Sequence, residues 1–208
     1  MRAFLAGRSG VSLVEFALIA PLLVLVFVGS IDTSRALTAA NRASYVADMI
    51  GELVSQATGT LSDKTIHGFI RSAPLINADI LRYGRQIGST DLPALVNVSV
   101  SSVAFAKANA ACTANCTYLA ATVFSRALSG PARPCGPLLS VPDTAATTPL
   151  TLPASTFGPV SLVVVDVEVF FKPLFAGVLP IPIKFRRSAY FRPRLVARIN
   201  AATNCSGF

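Results

Sequence analysis

The sequence predicts an α+β protein, with one long N-terminal helix packed on a roughly four-stranded antiparallel sheet. Short helices and a long Pro/Ser/Thr-rich excursion complete the expected architecture. Three observations predict it. Residues 16–31 carry no charge, and small apolar residues then recur four and three apart from Ala36 to Val54. Valines alternate with polar residues at Val96, Val98 and Val100, and again from Val163 to Val169. A 3.6-residue period marks a helix face and a two-residue period marks a half-buried strand.

Residues 1–10 read as a short leader with Arg2 and Arg8, followed by Val11-Ser12-Leu13-Val14-Glu15 and the uncharged run. A helix over 11–31 rises about 30 Å, enough to cross the hydrocarbon core of a bilayer. Basic residues ahead of such a segment favour a cytoplasmic N-terminus and export of the remainder. Three readings compete. The segment is an ordinary secretory signal cut on the far side, an uncut signal anchor, or a helix kept on the mature protein after cytoplasmic cleavage behind Gly10. An ordinary signal has an apolar stretch of about 7–15 residues and no use for an acid. Here the stretch is longer, and Glu15 stands at its start. A carboxylate at that depth is costly without a partner. Cleavage after Gly10 supplies one, because Val11 becomes an α-amine that Glu15 of a neighbouring molecule can neutralise. The two groups lie four residues, or about 6 Å of helix rise, apart. Axially staggered neighbours therefore pair most naturally, which is what a helical filament needs.

Arg8-Ser9-Gly10 followed by Val11-Ser12-Leu13-Val14-Glu15-Phe16-Ala17 resembles the processing site of the TadE-like family. Its members are minor pilins, or pseudopilins, of the tight adherence (Tad/Flp) pilus, a type IV-related system. The resemblance implies cleavage after Gly10 by a prepilin peptidase, with Glu15 needed for processing and assembly. Major pilins of this system usually have Tyr after the Glu, where this chain has Phe16, so no role of a phenol hydroxyl carries over. Pro21 lacks an N–H and its ring crowds the preceding turn, so a kink or a loosened turn is expected there. A tolerated membrane proline is the plainer alternative.

Beyond Ile31 the helix is expected to continue over 32–58. Ala36, Ala40, Ala43, Ala47, Ile50 and Val54 form a narrow apolar stripe, with Asp32, Arg35, Asn41, Arg42 and Glu52 off it. Packing against its own domain is favoured over a seam with another subunit. Helices follow at 63–72 and 77–86, with Asp63 and Asn77 as N-caps and Gly88 as a stop. The four expected strands start at Val96, cover 118–124, run from Val163 to Phe171, and cover 184–191. Residues 130–159, rich in Pro, Ser, Thr and Ala, are expected to be a surface excursion without regular structure. Val167-Glu168-Val169-Phe170-Phe171-Lys172-Pro173-Leu174-Phe175 and Ser188-Ala189-Tyr190-Phe191-Arg192-Pro193-Arg194 are also similar to segments of the TadE-like family.

The net charge of +8 is uneven. Up to Glu168 there are 11 bases and 10 acids; beyond it come only Lys172, Lys184, Arg186, Arg187, Arg192, Arg194 and Arg198. That basic region suits lipid head groups, an acidic subunit or a plain solvated edge. Nucleic acid is disfavoured, because no recognition helix or stacking motif accompanies the charge. Cys112, Cys116, Cys135 and Cys205 lie together on the far side of the apolar segment, where disulfides persist. Three pairings are open. Zinc is the weaker alternative, since the sole histidine, His67, lies far upstream.

No catalytic constellation, P-loop or zinc-protease motif occurs, and no enzyme, metal or cofactor is read. Asp166 and Glu168 share a strand face and are expected to form cross-strand ion pairs. The resulting expectation is a leader over 1–10, a transmembrane segment over 11–31, a helical continuation over 32–58 and an extracytoplasmic domain over 59–208. The protein is expected in a bacterial inner membrane, single-pass, with its C-terminal domain periplasmic or carried on a pilus. Its expected partners are a prepilin peptidase, other minor pilins, the major pilin and membrane lipid, with no nucleic acid or small-molecule substrate. A membrane-anchored binding module that never enters a filament is the alternative.

Overall fold

The structure, a computed structural model, describes residues 9–89, 95–173 and 183–205. The leader up to Arg8, and the Leu174-Phe175 end of one family-like segment, lie outside the described residues. The architecture is α+β, as expected, but the sheet is larger.

Helix α1 (Ser9–Ser55) is 47 residues long and stays helical through Pro21. Its second half is buried along Ala39, Ala40, Ala43, Val46, Ala47, Ile50 and Val54. The stripe is thus broader than the alanine periodicity indicates, with Ala39 and Val46 added and Ala36 only half-buried. After a break at 57–59, β1 (Thr60–Leu61) leads into α2 (Asp63–Arg71), α3 (Ala73–Ile76) and α4 (Ala78–Ile87). The N-cap of α2 is Ser62, not Asp63: its Oγ accepts from the Thr65 N–H at 3.1 Å. Asp63 then falls in the first turn, where the helix dipole favours a carboxylate, and pairs with Arg126 at 2.9 Å. Asn77 lies between α3 and α4, its carbonyl accepting from the Ile80 N–H. Gly88 stops α4 at φ 69°, with Ser89 N–H bonded to Gly84 O and Gly88 N–H to Arg85 O. This is the left-handed glycine closure that spares a side chain the steric cost.

The strands are β2 (Val96–Lys107), β3 (Tyr118–Ala127), β4 (Gly136–Val141), β5 (Thr151–Pro153), β6 (Leu162–Phe171), β7 (Ile183–Phe191) and β8 (Asn200–Ala201). Six form one sheet in the order β5-β4-β3-β2-β6-β7, antiparallel except for the β4–β5 pair. A separate parallel pair, β1–β8, ties the start of the domain to its end.

The expectation of four strands and an irregular excursion therefore fails at 130–159. Composition hid two strands there. Leu138 and Leu152 are buried, and they sit with Val103, Ala120, Leu162 and Val164 in a second core on the far face of the sheet. Pro153 is tolerated because β5 is an edge strand, where a missing ladder donor costs little.

The main core lies between α1 and the sheet, where Val163, Val165, Val167 and Val169 of β6 meet Val46, Ala47, Ile50 and Val54. Each fully buried Val or Ile contributes roughly 1.5–3 kcal/mol, so this seam fixes the second half of α1 to the domain. Gly51 allows the closest approach, since a Cβ there would overlap the ring of Phe191. Gly51→Val is expected to lower stability by about 1–3 kcal/mol through overpacking. Gly68→Ala is the control: nothing lies within 4 Å of its added Cβ. Thermal melts should therefore separate the two, with the second equal to or above the parent.

Candidate functional site

The first half of α1 leaves the domain altogether. From Ser12 to Thr38 no residue is buried, and Leu18 and Phe27 are 77% and 66% exposed. Apolar side chains cover every side of this stretch, unlike the single stripe of its second half. A helix apolar all round needs lipid or other helices about it. The segment is long and apolar enough to cross a membrane.

Glu15 is the sole charge among residues 12–31, and it is exposed. Its helical neighbours one turn away, Val11, Ser12, Leu18 and Ile19, carry no charge that could offset it. Phe16 projects beside it, 66% exposed. Gly10 and Val11 fall in the first turns of the helix. The structure thus sets the residues singled out for processing and assembly on one projecting rod, away from the domain.

Residues 10–51 match the family model of TadE-like proteins. This segment of the chain is TadE-like. The match starts at Gly10, takes in Glu15, Phe16 and Pro21, and stops at Gly51, where α1 meets Phe191. Both β6 and β7, with the two family-like segments read there, lie beyond it. No curated protein and no solved structure matches the chain. A TadE-like segment points to a protein associated with the Tad pilus.

The remaining candidate residues do not converge. Lys184 and Arg186, at one end of β7, pair with Glu168 at 3.6 and 2.8 Å. Arg194, beyond the other end, pairs with Glu52 of α1 at 2.9 Å, and its backbone N–H bonds Ser55 O. Arg187 donates to the Arg186 carbonyl and Arg198 to Asn200. Phe191 lies seven positions beyond Lys184, about 23 Å of strand, so these bases are spread along an edge. The cysteines are joined as Cys112–Cys116, across the tip of the β2–β3 hairpin, and Cys135–Cys205, across a separation of 70 residues.

Sequence reasoning missed Arg133. Its side chain is 1% exposed and grips Asp166 through Nε at 2.6 Å and Nη2 at 2.9 Å. Nη1 donates to the carbonyls of Pro149 and Thr151 at 3.1 and 3.2 Å. One guanidinium therefore clamps the excursion to β6. The signal was present: between Arg126 and Asp143, Arg133 is the lone charge.

Proposed function

We propose that the protein is a minor pilin, or pseudopilin, that takes part in assembly of a Tad/Flp-type pilus. The observation carrying this reading is a TadE-like helix whose apolar first half projects free of its domain, with one acid, Glu15, whose neighbours one turn away carry no charge. In this reading α1 crosses the inner membrane with its N-terminus cytoplasmic. A prepilin peptidase cuts after Gly10, and the new amine at Val11 meets Glu15 of a staggered neighbour. Other minor pilins, or the major pilin, supply the surrounding helices, and each buried pair offsets the desolvation of both charges. The domain rides outside the helix bundle, held by the seam from Ala39 to Val54. The work is done by binding, not by catalysis.

Mass spectrometry of the membrane-bound mature form tests this. A polypeptide beginning at Val11 is expected. An intact leader would leave a signal-anchored binding module, and a start beyond Ser30 a secreted domain; either sinks the proposal. Gly10→Leu is expected to accumulate the longer, unprocessed form on a gel, because a side chain there obstructs a peptidase adapted to glycine.

A further inference from the structure

Where α1 leaves the apolar run, the domain forms a cleft of about 140 Å³ lined by cations and aromatic rings. Arg35 and Arg42 come from α1, Arg82 and Tyr83 from α4, and Phe170, Phe171 and Lys172 from the end of β6. Tyr83 stacks on Phe170 at 5.8 Å, Arg35 lies over Phe171 at 5.5 Å, and Lys184 lies over Phe170 at 5.3 Å. Among the described residues no acid lines the cleft. The acids nearest in sequence are Glu168, next to Val169 and paired with Lys184 and Arg186, Asp32, paired with Arg35 at 3.1 Å, and Asp79 of α4. The four lining cations, with Lys184 and Arg186 beside them, outnumber these three acids, so the surroundings of the cleft are positive overall.

Its height matters as much as its charge. Arg35 and Arg42 lie four and eleven residues beyond Ile31, about 6 and 16 Å along the helix axis. The headgroup layer of one leaflet is roughly 5–8 Å thick. Side chains on a helix lean toward its N-terminus, so both arginines reach back toward the bilayer. Aromatic residues at this depth are at home in the interface.

We infer that this cleft binds the phosphodiester headgroup of an anionic phospholipid in the leaflet from which α1 emerges. The contact fixes the depth and rotation of the domain over the membrane before the helix is extracted into any assembly. It rests on α1 spanning a bilayer, one part of the function proposed above, and does not depend on filament entry.

The chain has no tryptophan, so Tyr83→Trp makes a single reporter inside the cleft. Full-length protein in nanodiscs is titrated by raising the phosphatidylglycerol fraction in phosphatidylcholine. A saturable change in emission is expected. No change is expected in pure phosphatidylcholine discs given millimolar inorganic phosphate. Arg42→Gln and Arg82→Gln, both exposed positions, should each raise the midpoint about fivefold, the effect of one interfacial charge. Matching thermal melts keep these variants interpretable. A flat titration, a response to free phosphate alone, or variants that respond like the parent would each overturn the inference. Protein that fails to enter discs overturns it together with the membrane reading, whereas inserted protein with a flat titration overturns the cleft alone.

Discussion

Arg133→Ala is expected to lower the unfolding free energy by about 3–5 kcal/mol, the usual cost of stripping one partner from a buried pair. The reason is what remains behind. Asp166 keeps only hydroxyl donors, Ser188 at 2.6 Å and Ser99 at 3.5 Å, while the carbonyls of Pro149 and Thr151 lose their guanidinium. β5 then has little beyond Leu152 and its parallel ladder to hold it. Arg133→Met combined with Asp166→Asn should recover a large part of the loss. The pair is then neutral and Ser188 still has an acceptor. Urea titrations of the single and double variants measure the coupling. Equal losses in both would show that the stranded charge and the Arg133 stem contribute little and that the guanidinium's bonds to the Pro149 and Thr151 carbonyls decide. Limited proteolysis adds a local readout, since cleavage between Val141 and Thr151 should appear in Arg133→Ala well before global unfolding.

The same residues explain what the sequence made legible. Elements whose pattern reports their own surroundings were readable: the uncharged run, the alternating valines of β2 and β6, and the β7 strand with its bases. Glu168 was readable as a cross-strand partner because its basic neighbours sit on the next strand, and Arg186 meets it at 2.8 Å. β4 and β5 were not readable. They are three to six residues long, and each buries one leucine against a face that other strands create. Nothing local tells Leu138 or Leu152 from a leucine in a loop. The α2 cap failed for a different reason. Ser62 and Asp63 are both good N-cap residues, and the choice follows from Arg126 on β3, which draws Asp63 into an ion pair. Of the candidate site, Glu15 stands out in the sequence, because a lone acid in an apolar helix is anomalous in any fold. The lipid-facing cleft does not, as α1, α4 and β6 each contribute residues that look like ordinary solvated cations in the linear chain.

Glu15→Gln is expected to leave the protein abundant and membrane-bound while filaments that depend on it fall to background. Removing the carboxylate makes insertion easier, by up to about 3 kcal/mol were the group at the bilayer centre and by less at the entrance of the helix. Stability and assembly should therefore move in opposite directions. A merely structural residue would not do this, since its loss would reduce the amount of protein. Glutamine keeps the size and a hydrogen-bonding carbonyl, so its failure isolates charge as the missing property. Axial stagger between copies sharpens the expectation. Val11 and Glu15 are about 6 Å apart along one helix, so the amine is met by a neighbour displaced axially by a similar distance. Crosslinking between cysteines placed at Ser12 and at Leu18 of separate copies, or of this chain and a partner pilin, should then trap wild-type assemblies and lose yield in Glu15→Gln. Pili of normal number and length from the glutamine variant would remove the ion pair from the mechanism, whatever the mature N-terminus proves to be.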